Sequence, residues 1–362
     1  MSDHDGLLIV ACVASVYLPF YLCYAVFLLT LAGVLHRHTL FKALAIPHIG
    51  WLYAFFALAA GVGALYRHWV GVLVLEVLFA LVLLAFYVRY SMTEKIRLNS
   101  ISVLVWGSLA AFGVAVVQKI LDTDFRTTSL FVNANYYAYI CELVTIVLVF
   151  ALIQYGMKPL YWAAIVANIG GIFLSGCRSA WLAIFFGVLV VLLCLKKYRQ
   201  LSVTAVFGAI ALTLTFLLPG LLFPRIGTMK SDTNLRVLIW KTAIGYINAH
   251  PLFGQGMITY YLISTGRAHD THAHNLFLDP LVNFGIIGTA LLLVFLLFYL
   301  RGFIQKLREN PACAIALGVM TATFVHGFTD IPFVGAQTGP MLLLMLALAG
   351  GRKTESIPEL PK

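Results

Sequence analysis

Residues 267–275 read RAHDTHAHN, which sets His269, His272 and His274 beside Asp270 in an otherwise apolar chain. Such density suggests three kinds of chemistry. The group could hold a metal, it could supply one imidazole as a general base, or it could be a polar lip on a membrane helix. A metal needs three or four converging ligands with supporting groups behind them. His272 and His274 share a side only in an extended backbone, whereas His269 and His272 share one only in a helix. No single regular conformation gathers all three, and no second Cys, His or carboxylate cluster on that side completes a set. The expectation is therefore no metal. The base reading asks for less, because one imidazole titrating near neutrality must reach one hydroxyl. His274 immediately precedes Asn275 and the apolar run LFLDPLVNFGIIG, so it sits at a helix entrance, either as that base or as a residue that only caps the helix.

Cations surround this segment. Arg225, Lys230, Arg236, Lys241 and Arg267 face only Asp232 and Asp270 in their stretch, and Arg178 lies in the turn LSGCRSAW. Arginine suits a phosphate or diphosphate, because its planar fork binds two oxygens and stays charged. The alternative is that these side chains reach lipid headgroups. Ionisable groups inside apolar runs also call for a reason, since they are costly in a membrane. Glu76, Glu142, Asp279, His326 and Asp330 are such groups. His326 and Asp330 are four residues apart, which predicts one shared helix face where they pair with each other or orient a sugar.

The elements that must position these residues are membrane helices. The 362-residue chain is 62% hydrophobic and only 10% charged, where soluble domains carry about 25% charged residues. Runs such as LLLVFLLFYL are apolar all round and belong in lipid. Apolar segments fall at 7–35, 46–66, 69–89, 101–121, 136–154, 159–175, 179–195, 201–222, 276–300, 311–329 and 333–350. The fold class is all-α polytopic, with eleven or twelve spans in a single membrane domain over 1–362. Residues 7–35 set the count. As one tilted helix they give eleven spans; as a hairpin broken at Pro19 they give twelve, and the shortness of each half favours the single helix.

Alternating the loops puts fifteen of the 24 Lys and Arg residues on one side, which the positive-inside rule makes cytoplasmic. The net charge of +10 thus reads as orientation, with no nucleic-acid partner implied. The start, MSDHDGLLIV, lacks the basic region and small-residue cleavage site of a secretory signal. The six cysteines are scattered without zinc or redox spacing. Residues 223–275 form one long loop on the opposite side, and loops of that size are functional or disordered. This one carries an amphipathic helix. Cap-type residues SDTN lead into an apolar face at Leu235, Leu238, Ile239, Ile244 and Ile247, with a stop at His250-Pro251. Such a helix lies in the membrane interface.

Four segments in order resemble the O-antigen ligase and polymerase superfamily of bacterial membrane glycosyltransferases. LFVNANYYAYI, with Asn135, is similar to an asparagine-containing start of a middle helix. LSGCRSAWLAIFFG is similar to the family's Ser/Arg turn, with Cys177 where members often carry serine. LRVLIWKTAIGYINAHPLFGQG is similar to its Arg…Trp…His-Pro-Leu loop, and AHNLFLDPLVNFGIIG to its His-Asn helix start. The similarity runs from about residue 130 onward, and the N-terminal third adds only hydropathy.

The resemblance implies transfer of a glycan from undecaprenyl diphosphate to an acceptor hydroxyl, on the periplasmic face of the bacterial inner membrane, with no cofactor and no metal. Its partners would be the lipid-linked donor, a lipid A-core acceptor and the surrounding lipids. On that reading Arg178 and Arg236 stabilise charge developing on the diphosphate and His274 takes the acceptor proton, with inversion. Arg225, Arg267, Asn275, Asn135, His272, His326 and Asp330 are the substrate-contact candidates. Ligase is the reading that the compact architecture resembles best. Polymerase and protein O-glycosyltransferase differ only in acceptor, and a transporter would instead predict internal repeats around a mid-membrane site.

Overall fold

The computed structural model describes residues 3–35, 38–122, 126–217, 228–266 and 270–351. The described chain begins with α1 (Asp3–Ser15), α2 (Phe20–Leu35), the short α3 (His38–Ala43), α4 (Ile49–Leu65) and α5 (Trp69–Ser91). It continues with α6 (Glu94–Leu121), α7 (Ala134–Tyr155), α8 (Pro159–Ser175), α9 (Arg178–Cys194) and α10 (Tyr198–Leu217). After these come α11 (Met229–Ala249), α12 (Thr259–Ile263), α13 (Leu278–Lys306), α14 (Cys313–His326) and α15 (Thr338–Ala347). The protein is all-α, and α5, α6, α7 and α13 are each long and apolar enough to cross a membrane. Shorter apolar helices pack around them.

The N-terminal segment differs from the single tilted helix expected of it. Pro19 has no N–H to continue a helix, and the chain turns there through Ser15–Leu18. The two halves then fold against each other, with Cys12 Sγ 3.4 Å from Thr30 Oγ1 and Ser15 Oγ 3.7 Å from Cys23 Sγ. This is the hairpin alternative. It sets Gly6 beside Ile96 and Gly350 beside Arg89, so the start of α1 and the end of α15 share one end of the bundle.

The central helix is α7, apolar all round and buried along nearly its whole length. Around it α9 and α14 cross so closely that a Cβ on Gly187 would lie 3.0 Å from the Gly318 carbonyl, and one on Gly318 2.9 Å from the Gly187 carbonyl. Small residues let helix backbones touch in lipid, where apolar burial alone gives no preference for protein over solvent.

The amphipathic helix forms as α11 and stops at His250. Its packed side is narrower than the sequence pattern suggests. Ile239 and Ala243 are buried against Tyr260, Ala273 and Val282, whereas Leu235, Leu238 and Ile244 stay exposed. An apolar edge beside a packed one is what a helix lying at a membrane surface presents.

The segment Pro251–Gly256 is seated in a break in α13. At Gly285 the backbone adopts φ 61° and ψ −170°, a conformation open essentially to glycine alone. The N–H groups of Ile286 and Ile287, freed by that break, donate to the Pro251 and Leu252 carbonyls at 2.8 and 3.0 Å. In return the Gln255 and Gly256 N–H groups donate to the Asn283 carbonyl. Gly256 passes so close to α4 that a Cβ would lie 2.6 Å from Gly63 Cα. The Gln255 carbonyl also accepts from His68, and Tyr66 bonds His250.

Candidate active site

Of the residues singled out in the sequence, Asn135, His272 and His274 converge on Asp330 at one end of the bundle. This carboxylate lies just beyond α14 and is buried. Its Oδ1 lies 3.1 Å from His272 Nε2 and 2.7 Å from His274 Nδ1, and also accepts the Ile331 N–H. Its Oδ2 accepts from Asn135 Nδ2 at 2.6 Å. The other nitrogen of His274, Nε2, lies 3.0 Å from Asp270 Oδ2. The His274 imidazole is thus clamped between two carboxylates.

The clamp sets the charge. Burial alone would favour neutral His274, but its hydrogen bonds to Asp270 and Asp330, reinforced by their charges, outweigh this and raise it to about 9. Burial likewise opposes ionisation of Asp270, yet the His274 hydrogen bond and charge and the Thr271 N–H lower it to about 2. At Asp330, burial is overcome by hydrogen bonds from both imidazoles, which hold it well below the usual carboxylate range. Near neutral pH the resting His274 is an imidazolium. Its backbone has φ 48°, a left-handed conformation uncommon outside glycine and typical of constrained functional positions.

Two residues hold the loop in register. Asp279, buried in the first turn of α13, accepts the Ala273 N–H at 2.8 Å and the Asn283 side-chain amide at 2.8 Å. It fixes the residue between the two histidines. Asn275 caps α13, its Oδ1 accepting from the Phe277 and Leu278 N–H groups and its amide donating to the Phe328 carbonyl. Its oxygen and one amide N–H are engaged in holding the turn that carries His274.

His326 and Asp330 do not pair with each other, contrary to the expectation from their spacing. The helix ends at His326, and the two side chains take different partners, Glu142 for His326 and the loop histidines for Asp330. His326 is fully buried, with Nδ1 3.1 Å from Glu142 Oε2 and Nε2 3.0 Å from Ser179 Oγ. Cys177 Sγ lies 3.9 Å from the same Nε2. Glu142, His326 and Ser179 form a chain from the dry interior to a half-buried hydroxyl beside Arg178.

Arg178 opens α9 and donates to Asp232 Oδ2 of α11 at 2.8 Å, and Thr228 donates to the same oxygen. Arg236 stands one turn beyond Asp232, on the same face of α11. Arg225, Arg267 and His269 lie outside the described residues. Arg126 joins the site without having been singled out. Its Nε donates to the Ser175 carbonyl at 2.8 Å and an NH2 to Asn135 Oδ1 at 2.6 Å, linking the α8–α9 turn to Asp330 through Asn135. Its only sequence signal is a cation in a short connection between two apolar segments, which any interfacial arginine would share.

His272 and His274 share a side, as an extended backbone allows, and Asp330 supplies the carboxylate that the sequence did not place beside them. His272, His274 and Asp330 bring three metal-ligating atoms within 4.8 Å of one another. The donor set suits a divalent ion by type. The same atoms are already joined by hydrogen bonds, so Asp330 Oδ1 is shared by two imidazoles and a backbone N–H.

Residues 163–293 match the family model for O-antigen ligase. The matched stretch runs from α8 into α13 and holds Arg178, Asp232, Arg236, Asp270, His272 and His274. It covers three of the four segments whose motifs carry the resemblance and begins after the fourth, LFVNANYYAYI. The O-antigen ligase match also stops short of His326 and Asp330, which α14 and the turn after it add to the site. No curated protein matches the chain.

Proposed function

We propose that the protein transfers a glycan from undecaprenyl diphosphate to a sugar hydroxyl of lipid A-core, on the periplasmic face of the bacterial inner membrane. The observation that carries this is the O-antigen ligase match over a stretch that contains Arg178, Arg236 and the clamped His274 together. The acceptor oxygen attacks the anomeric carbon, the bond from that carbon to the diphosphate breaks, and one displacement inverts the centre. Negative charge grows on the departing diphosphate. Arg178, which holds the Asp232 carboxylate at rest, exchanges it for phosphate oxygens, an equally charge-assisted pairing. Arg236 lies on the same helix face to share that charge. In the molecules whose His274 has lost its Nε2 proton to solvent, the acceptor hydroxyl displaces Asp270 from the bare Nε2 and gives its proton there, while Asp330 keeps Nδ1–H in place, as the carboxylate does in a catalytic triad. No metal enters these steps.

The test is reconstitution in liposomes with a lipid-linked donor and lipopolysaccharide core, scored for laddering of the acceptor. His274→Ala is expected to abolish transfer, and Arg178→Gln or Arg236→Gln to slow it by roughly a hundredfold. Full transfer by His274→Ala would remove the base role. Activity abolished by EDTA and restored by a divalent ion would replace the proposed metal-free chemistry. Elongation of the lipid-linked donor itself, with core left unmodified, would identify a polymerase.

A further inference from the structure

At the end of the bundle away from His274 lies a cavity of about 690 Å3. Four cations line it: Lys42 from α3, Arg89 from α5, and Arg301 and Lys306 from α13. No carboxylate is among its described lining residues. Among the described residues none of the four forms an ion pair. Orientation of the chain in a membrane asks only that cations lie in the loops of one side. It does not ask that four of them, from three helices, converge on one hollow with no carboxylate among the described lining residues. Like charges gathered in this way repel, and an anion that enters relieves the repulsion.

The arrangement also fixes the donors. The Arg89 guanidinium carbon lies 4.8 Å from the Tyr299 ring centre and 4.7 Å from that of Phe303. Stacking of this kind holds the planar fork in place. Beside the cations the wall includes Phe86, Phe298 and other apolar groups, a surface that a bare inorganic anion would not use. The hollow is also far larger than one phosphate.

We propose that this cavity binds the phosphate of an anionic phospholipid headgroup, with Arg89 and Arg301 as its principal contacts and the glycerol and upper acyl carbons against the apolar wall. Basic pockets between helices on the cytoplasmic side are suited to such lipids. The site stands apart from the glycan-transfer reading, and its test is independent of that activity.

The full-length protein in detergent is titrated with phosphatidylglycerol, with phosphatidylcholine and with inorganic phosphate, and bound species are counted by native mass spectrometry. Phosphatidylglycerol is expected to bind at least about tenfold more tightly than phosphatidylcholine. Arg89→Gln/Arg301→Gln should erase the preference. Arg301→Gln/Lys306→Gln, which leaves the stacked Arg89 untouched, should weaken it and guards against misfolding of the first variant. Lys197→Gln/Arg199→Gln, at the α9–α10 turn outside the cavity, should keep it. Equal binding of the two lipids would overturn the proposal, as would equal loss in the control variant. Inorganic phosphate bound without any preference for phosphatidylglycerol would overturn the lipid as its source.

Discussion

Replacing Asp270 by asparagine separates the two carboxylates that clamp His274. With both in place the imidazole titrates at about 9, so at pH 7 about one molecule in a hundred holds the neutral form. Asp330 stays in Asp270→Asn, and its 2.7 Å contact with Nδ1 keeps the ring oriented. The substituted amide supplies no charge. Losing one of two carboxylate partners, each behind a partly desolvated contact, is worth about one pKa unit, or about 1.4 kcal/mol. The neutral fraction at pH 7 then rises about tenfold. The assay is the initial rate of transfer at low substrate from pH 6 to 10, because that regime reports the free enzyme. Wild type should rise with pH up to about 9, and Asp270→Asn should reach its plateau about one unit earlier. An unchanged acid limb would refute the argument that Asp270 holds His274 protonated. Loss of activity at every pH by a folded variant would refute His274 as the proton acceptor and make Asp270 that group.

The same clamp predicts a stability profile. His274 is raised on folding, so its contribution is complete below 6.5 and lost as pH climbs through about 9. Asp270 is lowered, so its contribution is complete above 3.8 and lost as pH falls through about 2. Thermal unfolding in detergent should therefore show a loss between about pH 6.5 and 9 that Asp270→Asn reduces. Asp279→Ala strands the buried Ala273 N–H and the Asn283 amide; it should cost about 2 kcal/mol and lower transfer through loss of loop register, read by unfolding and rate together. In Gly285→Ala a Cβ would lie 2.5 Å from the Leu252 backbone at a positive φ. A loss of at least about 2 kcal/mol is expected, measured by the same unfolding assay.

Much of the fold is legible in the sequence because lipid imposes simple rules. Apolar runs mark the helices, and the His250-Pro251 stop ends α11 where the pattern predicts. The break at Pro19 is visible too. Length favours one helix only if each half must span the bilayer alone, and packing between the halves decides otherwise. His274 and Asn275 can be placed because a helix starts there. The clamp on His274 cannot, because Asp330 is 56 residues away and reaches the loop only through the end of α14. The expectation that His326 and Asp330 share a face fails where the helix itself ends. Periodicity argues only as far as the helix continues. Arg126 carries no spacing signal, since its partners Ser175 and Asn135 come from other helices.

The seating of Pro251–Gly256 in the broken α13 determines where α11 is measured from. Held at its C-terminal end, α11 projects back toward Arg178 like a key gripped by the bow. Each residue between that grip and Arg236 adds about 1.5 Å and about 100°. One residue inserted or deleted there would swing Asp232 and Arg236 out of phase with α9 while leaving every membrane helix intact. The phase of the arginine face is therefore written in the length of the segment from Arg236 to Pro251.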